Sequence, residues 1–150
     1  MESYEILAAA SRDWQRIAAL LQECGLPVDG LRPHLATTIV AVDGDEVVGC
    51  AALEVYGPDA LLRSVAVAPA HRGTGMGNAL TAAMLAVART HGIRAVYLLT
   101  ETATAFFPRF GFTTTTRDAV PAAVKKSVEF TTACPASATV MTLPLRSTDS

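Results

Sequence analysis

Arg72 is followed by glycine at every second position in the run Arg72-Gly73-Thr74-Gly75-Met76-Gly77. An apolar stretch, Leu61 to Val67, precedes it and reads as a strand; Asn78 to Arg89 follows and reads as a helix. Glycine has no Cβ, so the backbone of such a turn can approach a ligand closely. The first amides of the following helix lack intrahelical partners and carry the positive end of its dipole, which suits a phosphate. Arg72 adds a permanent cation able to grip two oxygens at once. Strand, Arg-Gly turn and helix together make a pyrophosphate cradle. Two other phosphate motifs do not fit. A dinucleotide fingerprint is Gly-x-Gly-x-x-Gly with an acid about 20 residues on, whereas the spacing here is Gly-x-Gly-x-Gly and the region of His91-Gly92-Ile93 is not acidic. A P-loop ends in Gly-Lys-Ser/Thr, and Gly77 is followed by Asn78.

The elements that must position this turn can be read along the chain. Its 150 residues are expected to form one domain with its own core, spanning 1–150. Hydrophobic residues make up 51% and charged ones 17%, which argues against disorder. A net charge of −2 with scattered Lys and Arg gives no reason to expect nucleic acid. No apolar run approaches the ~20 residues of a membrane span, and Met1-Glu2-Ser3-Tyr4-Glu5 does not read as a signal peptide. Cys24, Cys50 and Cys134 lack CxxC spacing, and His34, His71 and His91 form no ligand motif, so no metal is expected. A reducing cytoplasm is the expected home.

Tyr4 to Ala8 reads as a first strand, and Ser11 or Asp13 caps a helix carrying Trp14, Ile17, Leu20 and Leu21 at helical spacing. Thr37–Asp43 and Glu46–Tyr56 make a hairpin about Asp43-Gly44-Asp45. Ala60 to Ala68 and Arg94 to Thr100 are strands on either side of the glycine turn and its helix. A short helix from Thr102 to Arg109, a strand from Phe112 to Arg117, a helix within Val120 to Phe130 and a last strand, Ala138 to Leu145, complete a mixed α/β sheet.

That order resembles the GNAT superfamily of acetyl-CoA-dependent acetyltransferases. The resemblance is carried by Leu61 to Pro69, by the Arg-x-x-Gly-x-Gly turn and by Phe106-Phe107-Pro108-Arg109-Phe110-Gly111-Phe112. It implies a mostly antiparallel sheet of about seven strands flanked by helices and splayed between strands four and five. A narrower resemblance, in the stretches LLRSVAVAPAHRGTG, YLLTETATAFFPRFGF and RDAVPAAVKKSVEFTTACPASATVM, is to small acetyltransferases of bacterial arsenic-resistance operons. These imply resistance to a toxic amino-acid analogue as the setting.

The resemblance implies acetyl-CoA as co-substrate. Its pyrophosphate would lie on Arg72, Gly73, Thr74, Gly75, Met76, Gly77 and Asn78, with its pantetheine along Val65, Ala66 and Val67 as an added strand. Phe106, Phe107 and Arg109 would flank it, and an amide of Val65 or Ala66 would hold the oxyanion. The acceptor would be the primary amine of a small amino-acid-like molecule; no nucleic acid or membrane partner is implied, and a homodimer is admitted. Many members of the family carry Tyr where this chain has Phe107, so leaving-group protonation must come from elsewhere.

An acceptor amine must lose a proton, and a carboxylate is the usual means. Glu101, ending an apolar strand, is the first candidate, although the start of a helix also favours an acid there. Glu54, late in the third strand, is the second. Arg63 stands in an apolar strand, where a charge is costly unless paired; it clamps a substrate carboxylate or pairs with Glu54. Ser64 is a candidate donor to substrate. Lys125, Lys126 and Ser127 attract an acidic acceptor if their segment folds over the cleft, and are a solvated face otherwise. Two rival readings remain: an aminoglycoside-type acetyltransferase, and a non-catalytic acyl-CoA sensor.

Overall fold

The computed structural model describes residues 4–145. Seven strands are β1 (Glu5–Ala8), β2 (Thr38–Asp43), β3 (Glu46–Tyr56), β4 (Asp59–Val67), β5 (Ala95–Thr100), β6 (Thr113–Thr115) and β7 (Thr139–Pro144); α1 spans Trp14–Glu23 and α2 Met76–Thr90. They form one sheet in the order β1-β2-β3-β4-β5-β7-β6. Every pairing is antiparallel except β4 with β5. The α2 crossover makes that one parallel step possible, since parallel neighbours cannot be joined by a hairpin.

Alternation along the strands assigns the two faces to the two helices. Val40, Cys50 and Ala52 meet Ile17, Leu20 and Leu21 of α1 on one face. Ala41, Ala51 and Leu53 meet Met76, Leu80 and Met84 of α2 on the other. Both faces of β2, β3 and β4 are thereby covered, and those strands read as nearly unbroken apolar runs.

Two features of β4 shape the site. Its pairing with β5 holds only for Asp59↔Ala95, Ala60↔Val96 and Leu61↔Tyr97, after which the strands part. Opposite that opening its register with β3 shifts between Cys50 and Ala52, and Ser64 takes a left-handed φ of 60°. This bulge re-aims the strand, as extra residues in a ladder do. Residues 62–67 consequently have no strand beside them on the β5 side.

Three expected elements differ. The helix expected over Thr102–Arg109 is only a 3-10 turn, Phe107–Phe110, with Pro108 in its first turn; proline has no amide to donate and is tolerated at a helix start, not in the interior the longer helix would need. The expected strand Phe112–Arg117 shortens to β6. The expected helix within Val120–Phe130 is replaced by short turns, Arg117–Ala119, Val124–Lys126 and a π-turn, Glu129–Ala133. Ser127 is extended there (ψ 143°), and its hydroxyl accepts from the Glu129 amide at 3.2 Å. A serine that satisfies the backbone locally competes with helix. Among the described residues no helix is long and apolar enough to cross a membrane.

Candidate functional site

A cavity of about 610 Å³ lies along the free edge of β4. Arg63, Ser64, Val65, Ala66 and Val67 form one wall, Leu98 to Ala103 the opposite one, and Phe106, Phe107, Glu129 and Cys134 complete it. Cys24 to Pro27 and Arg72 also line it. A larger, more open hollow of about 840 Å³ lies between α1, the β2–β3 hairpin and Ala68 to His71. On it Arg16 donates to the Asp45 carbonyl and His71 Nε2 meets Asp43 at 3.2 Å, while His71 Nδ1 is buried without a hydrogen-bond partner among the described residues. The hollow has no strand edge to offer, and the β4 cavity is the better site.

The glycine turn begins at Arg72, its one residue in the cavity lining. Gly73 and Gly75 have φ of 80° and 87°, and a Cβ at either would meet nothing within 4 Å. Gly75 is the N-cap of the 15-residue α2 and no side chain caps that end, so its leading amides remain available to an anion. A cradle that only glycine backbone forms, open in front and uncapped behind, fits a pyrophosphate. Gly77 faces the aromatic wall, where a Cβ would lie 3.6 Å from Phe106, an ordinary contact. Thr74 donates its hydroxyl to the His71 carbonyl at 2.6 Å, and Asn78 is exposed on the first turn. Met76 contributes only backbone, since its side chain is buried in the core. Arg72 is turned back along the strand, Nε donating to the Val67 carbonyl at 3.1 Å and Nη2 to the Cys24 sulfur at 3.4 Å. Arg109 covers the Phe106 ring at 5.4 Å, outside the cavity lining. Phe107 is buried edge-on to Phe106 and Phe112 while one side still faces the cavity.

Around Arg63 in the cavity wall lies a buried charge cluster. Arg63, only 3% exposed, donates through Nη1 to Glu54 Oε2 at 2.9 Å and to the Asp29 carbonyl at 2.8 Å. Its Nη2 donates to the Pro27 carbonyl at 3.1 Å, and its Nε to Ser64 Oγ at 3.0 Å, with Glu129 Oε2 at 3.4 Å. Of the two roles open to Arg63 in the sequence, the structure shows the pairing. Among the described residues one Nη2–H remains for a further partner, too few for a two-pronged grip. Glu54 accepts from Tyr56 as well. Burial pushes its pKa up, but hydrogen bonds from Arg63, Tyr56 and Ser127 more than offset that and hold it below the ordinary value. Glu129 has fewer such bonds, and burial pushes its pKa up to about 7 against the pull of Arg63. Burial pushes the Cys134 thiol up to about 12, so it is a neutral thiol at physiological pH.

The cavity thus brings together Arg63, Ser64, Val65, Ala66, Val67, Arg72, Glu101, Phe106 and Phe107. Glu101 stands exposed at its rim. Glu54 lies behind Arg63 and does not line it, which leaves it no direct contact with an acceptor. Lys125 and Lys126 sit on the outer turn, away from the lining, and Ser127 is buried beneath it. Glu129 went unnoticed in the sequence; the available signal was an acid alone between apolar residues in Val128-Glu129-Phe130. Among the described residues no group of three or more His, Cys, Asp or Glu could hold a metal.

Residues 34–114 match the family described as acetyltransferase (GNAT) domain. An amino-acid acetyltransferase of Mycobacterium tuberculosis is 46% identical over 69 residues, which are 45% of this chain and 39% of that protein. N-acetylglutamate synthase from Neisseria gonorrhoeae, solved with coenzyme A and N-acetyl-glutamate, superposes with a TM-score of 0.82 at 24% identity, covering 98% of this chain and 36% of that one. Rv2747 from Mycobacterium tuberculosis, solved in complex with CoA, superposes with a TM-score of 0.80 at 29% identity, covering 95% of this chain and 99% of that one. The chain therefore spans less than half the length of the first two relatives.

Proposed function

Because the chain belongs to the GNAT acetyltransferase family, we propose that it is an acetyl-CoA-dependent N-acetyltransferase acting on the primary amine of a small amino-acid-like compound. One observation carries this reading: an unpaired strand edge lines a cavity that reaches Arg72, the residue that opens a glycine cradle fit for a pyrophosphate. Acetyl-CoA supplies the activated acetyl thioester. Amides of residues 72–78 bind its phosphates, and the free edge at Val65 to Val67 binds its amide-bearing arm as an added strand would. The bulge at Ser64 leaves the amide of Val65 or Ala66 as the donor that polarises the thioester carbonyl. Positioning of the two reactants beside each other supplies a large share of the rate. Phe107 has no proton to give, so the departing thiolate takes its proton from the attacking amine or from water.

Support for an amino-acid acceptor comes from the amino-acid acetyltransferase likeness and from Arg63 in the cavity wall. The finer reading, a toxic or arsenic-containing analogue, rests on the sequence resemblance alone. Thiol release from acetyl-CoA, followed across glutamate-like amino acids, their methyl esters and an aminoglycoside, tests the reading. Free amino acids are expected to turn over. Esterification is expected to raise KM by roughly 10–10²-fold, the loss of one hydrogen bond between charged groups at about 1.5–3 kcal/mol. Preference for the aminoglycoside would transfer the cleft to a polycation; tight acetyl-CoA binding without any turnover would make the protein a sensor.

A further inference from the structure

We propose that Glu129 is the group that takes the proton from the acceptor amine, its carboxylate held by Arg63 against the β4 bulge inside the cavity. This rests on the acetyl-transfer reading and adds a catalytic residue to it. Three carboxylates lie near the acceptor end. Both oxygens of Glu54 are committed, one to Tyr56 and one to Arg63, and it stands behind the wall. Glu101 is in solvent at the rim. Glu129 is 4% exposed, yet it lines the cavity. Its Oε2 lies 3.4 Å from Arg63 Nε, and that same nitrogen donates to Ser64 Oγ at 3.0 Å. The carboxylate is therefore beside the bulge after which an amide, of Val65 or Ala66, is read as the oxyanion donor.

The surroundings suit the task. Arg63 and Ser64 face Glu129 from β4, Glu54 from β3 with Tyr56 behind it, Cys134 from its own segment, and Glu101 bears on Cys134 from the end of β5. Burial holds the Glu129 pKa near 7, counteracted by Arg63 and reinforced by Glu54. A base is most effective when its pKa lies near the working pH. An acceptor arriving as an ammonium gives one proton to Glu129 and becomes the free amine. Its lone pair attacks the thioester carbonyl, the C–N bond forms, and the C–S bond breaks with its electron pair leaving on sulfur. The second nitrogen proton neutralises the thiolate, and Glu129 returns its own proton to solvent between turnovers.

The test is a pH–rate profile of the whole chain, from about pH 5 to about pH 9, with a turned-over amine. The wild-type kcat/KM is expected to rise through an apparent pKa near 7 and then level off. Glu129→Gln is expected to lose roughly 10²–10⁴-fold in rate and the rising limb with it, while binding acetyl-CoA as before. Glu129→Asp keeps the limb at a lower rate, and loss of the limb in Glu101→Gln rather than in Glu129→Gln would overturn the proposal. Folding is checked independently. A folded pKa above the ordinary carboxylate value of 4.5 means the native state holds an extra proton between about 4.5 and 7, so wild-type stability falls as pH rises through that window. Glu129→Gln should then unfold at a higher temperature than wild type above pH 7, the gap closing in acid. A Glu129→Gln protein with wild-type rate and limb would overturn the proposal. So would a limb that falls through pH 7, which would make the group an acid for the thiolate. Absence of turnover in the wild type itself, on every amine, would instead overturn the acetyltransferase reading and this inference with it.

Discussion

Arg63→Ala is expected to destabilise the protein by about 3–5 kcal/mol, the range for removing one partner of a buried ion pair. The substitution strands two carboxylates, Glu54 at 1% and Glu129 at 4% exposure, and also the carbonyls of Pro27 and Asp29. Those carbonyls belong to the loop that lies over the cluster, where Gly30 fits so tightly that a Cβ would meet Val128 at 2.5 Å. The loop, β4 and the segment around Glu129 therefore share one guanidinium. The effect should depend on pH. In the wild type the Glu54 pKa is lowered, so its ion pair contributes stability above the unfolded carboxylate value and loses it as pH falls through the folded one. Without Arg63 both carboxylates are easier to protonate, and the deficit against wild type shrinks in acid. Urea unfolding at two pH values measures both parts. A midpoint close to wild type at neutral pH would mean the cluster is not a tie between these segments.

Gly75→Val should abolish acetyl-CoA binding while the protein still folds. The position has φ 87° and open space around a Cβ, so the cost in the free protein is backbone strain, of order 1–3 kcal/mol for a non-glycine residue there. In the complex the branched side chain occupies the space through which a phosphate reaches the α2 amides. Loss of two hydrogen bonds to a charged group, each contributing about 1.5–3 kcal/mol, lowers affinity by roughly 10²-fold or more. Calorimetric titration with acetyl-CoA reads this directly, and Arg72→Ala is the comparison. The Arg72 guanidinium is already engaged with Val67 and Cys24, so its loss should weaken binding less than Gly75→Val does. Unchanged affinity in a folded Gly75→Val protein would mean the cradle holds no phosphate.

The contrast between these two sites also explains what the sequence could reveal. The cradle is local: Gly73, Gly75 and Gly77 lie within five residues, and their conformational freedom is a property of the residue type. The β2–β3 hairpin was legible for the same reason, in Asp43-Gly44-Asp45. The splay between β4 and β5 came from family resemblance and is observed where pairing ends at Leu61↔Tyr97. The charge cluster is not local. Arg63 and Glu129 are joined by tertiary packing, which no periodicity records. The left-handed turn at Ser64 was invisible because serine does not signal that conformation. The segment 117–137 misled in its own way: Val120 and Val124 have helical spacing, but each is buried from a separate turn against Leu61 and Val140.

Direct transfer, with both reactants bound on the free edge of β4 and no acetylated enzyme between them, is the claim on which the rest depends. A single-turnover experiment tests it, with the protein in excess over acetyl-CoA, a glutamate-like amine present, and intact-mass analysis of protein and small molecules at successive times. N-acetylated amine and free CoA are expected to appear together at one rate, with the protein mass unchanged throughout. An acetyl group found first on the protein, at Cys134 or elsewhere, or acetyl-CoA remaining intact beside every amine, would contradict direct transfer.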